Sequence, residues 1–199
     1  MKVLLIILGS LGLVFLIFQI YLYVSTAKVE NRPYDVVKNK GELEIRFYPK
    51  VKMAQYTSQS GQYKTASSNG FRKLAGYIFG KNEKSESIAM TSPVQMDMDG
   101  KETTMSFMMP SVYDSTELPT PKDSSVKLVE SNEEYVAAIG FSGFASDELI
   151  EKYTKELKDL LIENNLTATS NYRYLGYNPP YQLLGRKNEV VVQVTWEMQ

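Results

Sequence analysis

The chain contains neither cysteine nor histidine among its 199 residues. Without cysteine it has no disulfide bond, thiolate nucleophile or iron–sulfur ligand, although this absence is compatible with either side of a membrane. Without histidine it lacks the side chain used most often as a general base and as a metal ligand. Lysine and arginine together number 22 and acidic residues 23, so the charge balance predicts no nucleic-acid partner.

Sequence motifs for catalysis are also missing. No phosphate-binding glycine loop is present, because the segment GYIFG at residues 76–80 ends a predicted helix and does not open one. The segment TSP at residues 91–93 has no histidine or Ser-x-x-Lys partner to activate its hydroxyls. Asp97 and Asp99 alternate outward beside a turn and are expected to be solvated. We therefore expect no enzyme; hydrolysis would require an acid–base pair facing a cavity.

One long hydrophobic run is present. Residues 3–24 are apolar, with Ser10 and Gln19 among the few interruptions, and about 20 such residues cross a hydrocarbon core of about 30 Å. Two interpretations stay open: an uncleaved single-pass anchor, or a signal peptide cleaved near residues 25–27. We favour the anchor, because the apolar core of a signal peptide is usually only about 7–15 residues long.

The run divides the chain into a membrane anchor or signal peptide at residues 1–27 and a globular domain at residues 28–199. About 170 residues are enough for one domain with a sizeable core. Lys2 lies on one side of the run, and Lys28, Glu30 and Arg32 on the other, so the charges specify orientation weakly. Because the N-terminal tail is very short, we expect it inside and the domain outside the cytoplasm.

The globular part alternates between strand and helix periods. Strands are predicted at residues 43–48, 51–57, 88–98, 103–109, 126–130, 135–144, 169–177 and 189–198. A helix is predicted at residues 63–78, before the stop signal Gly80, and a second at 147–161, after the N-cap Ser146. Asp-Gly at residues 99–100 is a strong hairpin signal, because glycine admits the positive φ of a tight turn.

The order of elements is thus strand–helix–strand–strand, twice. Two such halves can join their strands into one sheet that carries both helices outside. The sequence therefore predicts the α+β class: a distorted antiparallel β-barrel or curved sheet built from two β-α-β-β halves with two flanking helices, plus an N-terminal transmembrane helix.

Four segments together point to a known family. They are IAMTSPV at residues 88–94, MSFMMP at 105–110, YNPP at 177–180 and RKNEV at 186–190. In combination they resemble the SOUL family, also called haem-binding proteins, and the resemblance covers nearly everything after residue 33. It implies a twisted barrel of two pseudo-symmetric halves flanked by two long helices, and a tetrapyrrole as the class of ligand.

The resemblance also implies a porphyrin cleft along the first helix of the domain. The hydrophobic side chains expected to line this cleft are Phe71, Leu74, Ile78, Met90, Met96 and Met98. Arg72 and Lys73 are expected to pair with the porphyrin propionates, and a solvated helix surface is the alternative for both. Arg46 and Arg186 are further cations near strand ends. In some relatives a histidine is the proposed iron ligand, and this chain has no counterpart.

Methionine and tyrosine each have two interpretations. Met96 and Met98 share a face with Val94, where they can fill a core or form a soft wall for a ligand. A thioether pairs with histidine in some haem proteins, which is impossible here, whereas tyrosine can ligate haem iron. The candidate tyrosines are Tyr77, Tyr172, Tyr174, Tyr177 and Tyr181. Aromatic packing with a hydrogen-bonded hydroxyl is the favoured interpretation for them.

We therefore expect a membrane-anchored binding protein that takes up haem, or a related tetrapyrrole or hydrophobic ligand, non-covalently in a helix–sheet cleft and without histidine ligation. The alternative is a membrane-held interaction or scaffold module that has the fold but no open pocket, with a protein partner that the sequence does not specify. Neither function needs a bound metal ion other than the haem iron.

Overall fold

The hydrophobic run forms a single long helix. A computed structural model of the chain describes residues 1–196. Helix α1, Lys2–Thr26, has 25 residues, and every side chain before Gln19 is exposed. Its length and composition are sufficient to cross a membrane, and a signal sequence near an N-terminus would meet the same criterion.

Up to residue 196, eleven strands and two further α-helices follow α1. The strands are β1 (Glu30–Asn31), β2 (Asp35–Lys40), β3 (Leu43–Tyr48), β4 (Lys52–Ser58), β5 (Thr91–Ser92), β6 (Val94–Met98), β7 (Thr103–Met108), β8 (Lys127–Glu130), β9 (Glu134–Phe141), β10 (Arg173–Gly176) and β11 (Asn188–Gln193). The helices are α2 (Tyr63–Ile78) and α3 (Asp147–Glu163), and Ser111–Tyr113 is a short 3-10 helix. The successions β4–α2–β6–β7 and β9–α3–β10–β11 match the predicted repeat.

Nine of the strands form one antiparallel sheet, in the order β2-β3-β9-β11-β10-β6-β7-β4-β8. The two halves meet where β6 pairs with β10. The strand before each half pairs with the other half, β3 with β9 and β8 with β4. The large antiparallel sheet is therefore confirmed. Among residues 1–196 its two edge strands, β2 and β8, do not pair with each other, so the sheet is not closed and the prediction of a barrel is wrong. The remaining strands, β1 and β5, form a separate parallel pair.

Both domain helices lie on one face of the sheet, α2 against β4 and β7, and α3 against β9 and β11. Ser146 caps α3 as predicted, because its Oγ accepts a hydrogen bond from the amide of Leu149 (3.3 Å). Ile150, Leu157 and Leu161 are buried on the predicted apolar stripe. Each helix thus buries one stripe against the strands of its own half.

Two predicted strands differ from the structure, and one strand was not predicted. The 88–98 strand is divided at Pro93, because proline has no N–H to continue a ladder: β5 pairs with β1, and β6 begins at Val94. Strand β2 was not predicted, and all its residues are exposed, so burial imposes no alternation on it. The 189–198 strand ends at Gln193, with an isolated bridge at Val194; the predicted position of Met198 lies outside the described residues.

Candidate functional site

Helix α2 packs closely on the sheet. Gly70 makes the approach possible, because a Cβ at this position would lie 3.0 Å from Met105 Cβ and Sδ. Leu74 and Ile78, one and two turns further along, are 0% and 1% exposed. Contacts this close leave no side-chain-sized gap where α2 crosses β7.

The hydrophobic residues predicted for the cleft belong mostly to the core. Leu74, Ile78 and Met96 are fully buried, and Met90 and Met98 are half-buried against the same core. Met96 and Met98 face the helices, as period-two spacing predicted. Core filling accounts for Met96, and the interior of the crossing is occupied by the side chains that were expected to line it.

The other three predicted residues lie on the outside of α2. Phe71 is 42% exposed and meets Phe107 edge-on, with ring centroids 5.6 Å apart. Arg72 and Lys73 are exposed beside it. Lys73 Nζ donates to Asp123 Oδ2 (2.6 Å), and this bond raises the pKa of Lys73 and lowers that of Asp123. Of the eight predicted residues, five thus lie in or against the core, and three lie on the outer surface of α2.

The opposite face of the sheet carries a buried ion pair that sequence reasoning missed. Arg46 Nη1 and Nη2 donate to the two carboxylate oxygens of Glu189 (2.8 and 2.9 Å), with side chains 5% and 2% exposed. Glu44 also accepts from Arg46 (2.8 Å), and Tyr177 donates to Glu189 (2.6 Å). The predicted cation Arg46 is therefore engaged within the protein and is not available to a propionate.

Opposing effects act on the ionisation of this pair. Burial alone would raise the pKa of Glu189, but the hydrogen bonds and charge of Arg46 outweigh it and hold the pKa below its usual value. Burial would likewise lower the pKa of Arg46, and the bonds from its guanidinium to Glu189 raise it instead. Both groups are therefore charged at neutral pH.

A second charged cluster lies on the same face. Arg173 forms a bidentate pair with Glu134 (2.7 and 2.8 Å), and Arg32 adds a longer bond to Glu134 (3.4 Å) and one to Gln95 (3.0 Å). Burial lowers the pKa of Arg32 despite the neighbouring carboxylate. These residues line a polar cavity of about 200 Å³, below the range of about 300–1,000 Å³ that drug-sized ligands occupy. The cavity is too small and too polar for a porphyrin.

A larger depression of about 470 Å³ lies along the solvent face of α3. It is lined by Glu148, Glu151, Lys152, Thr154, Lys155 and Lys158. Charged side chains of a single helix do not form the apolar walls that a planar hydrophobic ligand needs. Within the part of the chain that the structure describes, no three acidic, histidine or cysteine side chains form a metal-binding group.

Hydrogen bonds occupy most of the candidate tyrosines. Tyr77 donates to the carbonyl of Pro119 (2.9 Å), Tyr174 to Asn188 Oδ1 (2.7 Å) and Tyr177 to Glu189. Burial raises the pKa of Tyr77 to about 12, which disfavours the phenolate that an iron ligand requires. Tyr172 is half-buried and Tyr181 is exposed. Packing with a satisfied hydroxyl thus describes the buried Tyr77 and Tyr174 and the half-buried Tyr177.

The sequence carries only weak signals for the buried ion pair of Arg46 and Glu189. Glu189 precedes three consecutive valines, and the pairing of β11 with β9 and of β9 with β3 brings it beside Arg46. Nothing local indicates a partner that is 143 positions away in the chain. The predicted cation Arg186 instead donates to the carbonyls of Pro179 and Gln182 (2.7 Å each) and organises its own loop.

Comparison with solved structures supports the fold. The C-terminal domain of EcmrR superposes with a TM-score of 0.62 at 8% identity, over 82% of this chain and 99% of that domain. A hydrolase from Listeria innocua superposes with a TM-score of 0.54 at 12% identity, over 80% of this chain and 94% of the other. At such low identities these similarities establish the architecture and nothing about activity.

Comparison of sequences identifies the family. Heme-binding protein 2 of Mus musculus is 32% identical over 166 residues, which cover 79% of this chain and 80% of the relative. Heme-binding protein 1 of Xenopus laevis is 27% identical over 174 residues, covering 81% and 90%. The family model described as SOUL heme-binding protein matches residues 29–193. The chain therefore belongs to the SOUL heme-binding protein family.

Proposed function

We propose that this chain is a membrane-anchored binding protein for haem or a related tetrapyrrole, and that it is not an enzyme. Residues 1–27 hold it in the bilayer, and residues 28–199 form the ligand-binding domain. Membership of the SOUL family supports the ligand class, since the relatives are named heme-binding proteins. The apolar helix α1 supports the anchor, and in this proposal the domain lies outside the cytoplasm.

The ligand lies along the outer side of α2 in this proposal. The observation that carries it is Phe71, a ring 42% exposed on an otherwise polar helix surface, with Arg72 and Lys73 next to it. The macrocycle covers Phe71, and its propionates pair with Arg72 and with Lys73, whose solvent-exposed ion pair with Asp123 exchanges for the ligand. Leu74, Ile78 and Met96 support this surface from beneath, and the half-buried Met90 and Met98 complete its apolar support.

Hydrophobic contact supplies most of the affinity in this arrangement. Burying a few hundred Å² of macrocycle at about 25 cal/mol per Å² offsets the cost of association and leaves roughly micromolar binding. The chain has no histidine or cysteine to coordinate iron, so we expect iron-free protoporphyrin to bind about as well as haemin.

A haemin titration of the full chain in detergent micelles tests the proposal. Trp196, the single tryptophan, reports binding by quenching, and the Soret band reports the haem environment. We expect Phe71→Ala to weaken binding severalfold, while Phe144→Ala, which removes another exposed ring (52%), leaves affinity unchanged. The double charge reversal Arg72→Glu and Lys73→Glu should weaken binding of porphyrin but not of its dimethyl ester. Equal affinities for wild type and Phe71→Ala contradict the site.

A membrane-held scaffold module is the second candidate function. The close packing of Gly70 on Met105, with Leu74 fully buried, favours it, because α2 and the sheet enclose no open cleft. This function predicts no saturable quenching by haemin or protoporphyrin in the wild type. It also predicts that the Arg72 and Lys73 charge reversals abolish association with a protein partner while the melting temperature stays the same.

A further inference from the structure

The end of α1 is attached to the domain through a polar side chain. Gln19 interrupts the apolar run, yet it is only 3% exposed. Its Nε2 donates to the carbonyl of Tyr181 (3.2 Å), and its Oε1 accepts from the amide of Leu183 (2.9 Å). Leu22 and Thr26 share this helix face; Leu22 is buried, and Thr26 Oγ1 donates to Gln182 Oε1 (3.0 Å).

The loop that receives α1 joins β10 to β11 and is internally braced. Gln182, 1% exposed, donates to the carbonyl of Leu184 (2.9 Å). Arg186 donates to the carbonyls of Pro179 and Gln182 (2.7 Å each). Gly185 has a φ of +63°, and a Cβ there would lie 2.9 Å from the ring of Tyr23. The loop and the last turns of α1 therefore hold a fixed relative position.

Helix geometry gives the depth of this attachment in a bilayer. A hydrocarbon core of about 30 Å accommodates about 20 helical residues. Counting from Val3, the first residue after the charged Lys2, places the far boundary near Leu22. Gln19 then lies about 4.5 Å inside that boundary at a rise of about 1.5 Å per residue, and the loop backbone bonded to Gln19 lies at a similar depth.

Three apolar side chains of this loop are about half exposed in the described chain. Tyr181, Leu183 and Leu184 are 57%, 47% and 59% exposed. We propose that these residues, which we term the apolar rim, form a membrane-docking surface that enters the headgroup–acyl boundary of the bilayer crossed by α1. The inference rests on the proposed anchoring by α1. Lipid is the occupant because Gln19 fixes the rim beside a helix segment that is itself within the bilayer.

Docking of the rim has a consequence for the whole domain. Its position beside α1 holds the β10–β11 end of the sheet at the membrane surface, so the domain does not swing freely about the end of α1. Tyrosine suits such a boundary, because its ring lies among acyl chains while its hydroxyl reaches water. The folded loop thereby supplies hydrogen-bond partners to Gln19, the one amide side chain in the apolar run.

Site-specific labelling can test this directly, because the chain has no cysteine of its own. The full chain is reconstituted in phosphatidylcholine vesicles that carry bromine either near the headgroup or near the acyl-chain end. Leu184→Cys, labelled with a bimane fluorophore, reports the rim, and Leu11→Cys reports the middle of α1. Ile162→Cys is the matched control, because this exposed aliphatic residue (75%) lies near the C-terminal end of α3.

We expect shallow bromine to quench the Leu184 label severalfold more strongly than the Ile162 label, and deep bromine to quench the Leu11 label most. Adding Gln19→Leu should reduce the quenching at Leu184 and leave Leu11 unchanged. Quenching at Leu11 with none at Leu184 refutes docking while anchoring stands. No quenching at Leu11 refutes the anchor itself. A Leu184 label shielded only at high protein-to-lipid ratio identifies a second copy as the occupant and overturns the proposal.

Discussion

The buried pair of Arg46 and Glu189 gives the sharpest test of what stabilises the sheet. Substitution Glu189→Gln keeps the shape of the side chain but removes its charge, leaving a guanidinium that is 5% exposed with Glu44 as its remaining carboxylate partner. Breaking a buried pair costs about 3–5 kcal/mol, and the remaining carboxylate favours the lower value. At about 2–4 °C per kcal/mol for a chain of this size, about 3 kcal/mol lowers the melting temperature by about 6–12 °C.

The assay is thermal unfolding of the full chain in detergent, followed by circular dichroism in the β region and by Trp196 fluorescence. Glu44→Gln is the matched control, because it neutralises the other carboxylate that binds Arg46. The side chain of Glu44 is 29% exposed. We expect this control to cost less than about 1 kcal/mol. Equal melting temperatures for Glu189→Gln and Glu44→Gln would refute the reasoning.

Acid titration gives an independent check on the same pair. The pKa of Glu189 in the folded protein lies below its usual value of 4.5. Its contribution to stability is therefore fully present above pH 4.5 and is lost as the pH falls through the folded pKa. The difference in melting temperature between wild type and Glu189→Gln should shrink below pH 4.5. A difference that grows on acidification contradicts the lowered pKa.

Three further substitutions test other parts of the structure. Ser146→Ala removes the cap of α3 and should cost about 1 kcal/mol in urea unfolding; no change would mean that the cap bond contributes nothing. Leu74→Ala should cost about 2–5 kcal/mol because the site is fully buried, and a cost no greater than that of Phe71→Ala would contradict close packing under α2. Gly185→Ala adds a methyl group against Tyr23, so limited proteolysis should cut the loop after β10 faster, with sheet melting unchanged.

Local sequence signals predicted the elements that depend on local physics. The 103–109 strand and the turn at Asp99 and Gly100 were identified, because glycine tolerates the observed φ of +88° and Asp99 Oδ1 accepts from two turn amides. The stripe and cap of α3 were identified for the same kind of reason. In each case, the residues that determine the element lie within a few positions of one another.

The features that were missed depend on burial and on how distant strands meet. Edge strand β2 has no buried face, so no alternating pattern marks it. Closure of a barrel depends on two edges meeting, and no residue pattern within a strand specifies that. The predicted cleft residues Leu74 and Met96 were recognised as apolar, but apolar character is the same in a core and in a pocket. Only the close approach of Gly70 to Met105 shows that these residues lie in a core and not in a pocket.

The sequence by itself determined the apolar helix, the twice-repeated order of strands and helix, and the family, because each is written in local periodicity or in short segments. Tertiary structure decided which charges are buried and where α1 attaches. Arg46 meets Glu189, and Gln19 meets Leu183, across 143 and 164 positions of chain. Such contacts arise from strand order and packing, and residues so far apart carry no local signal of one another.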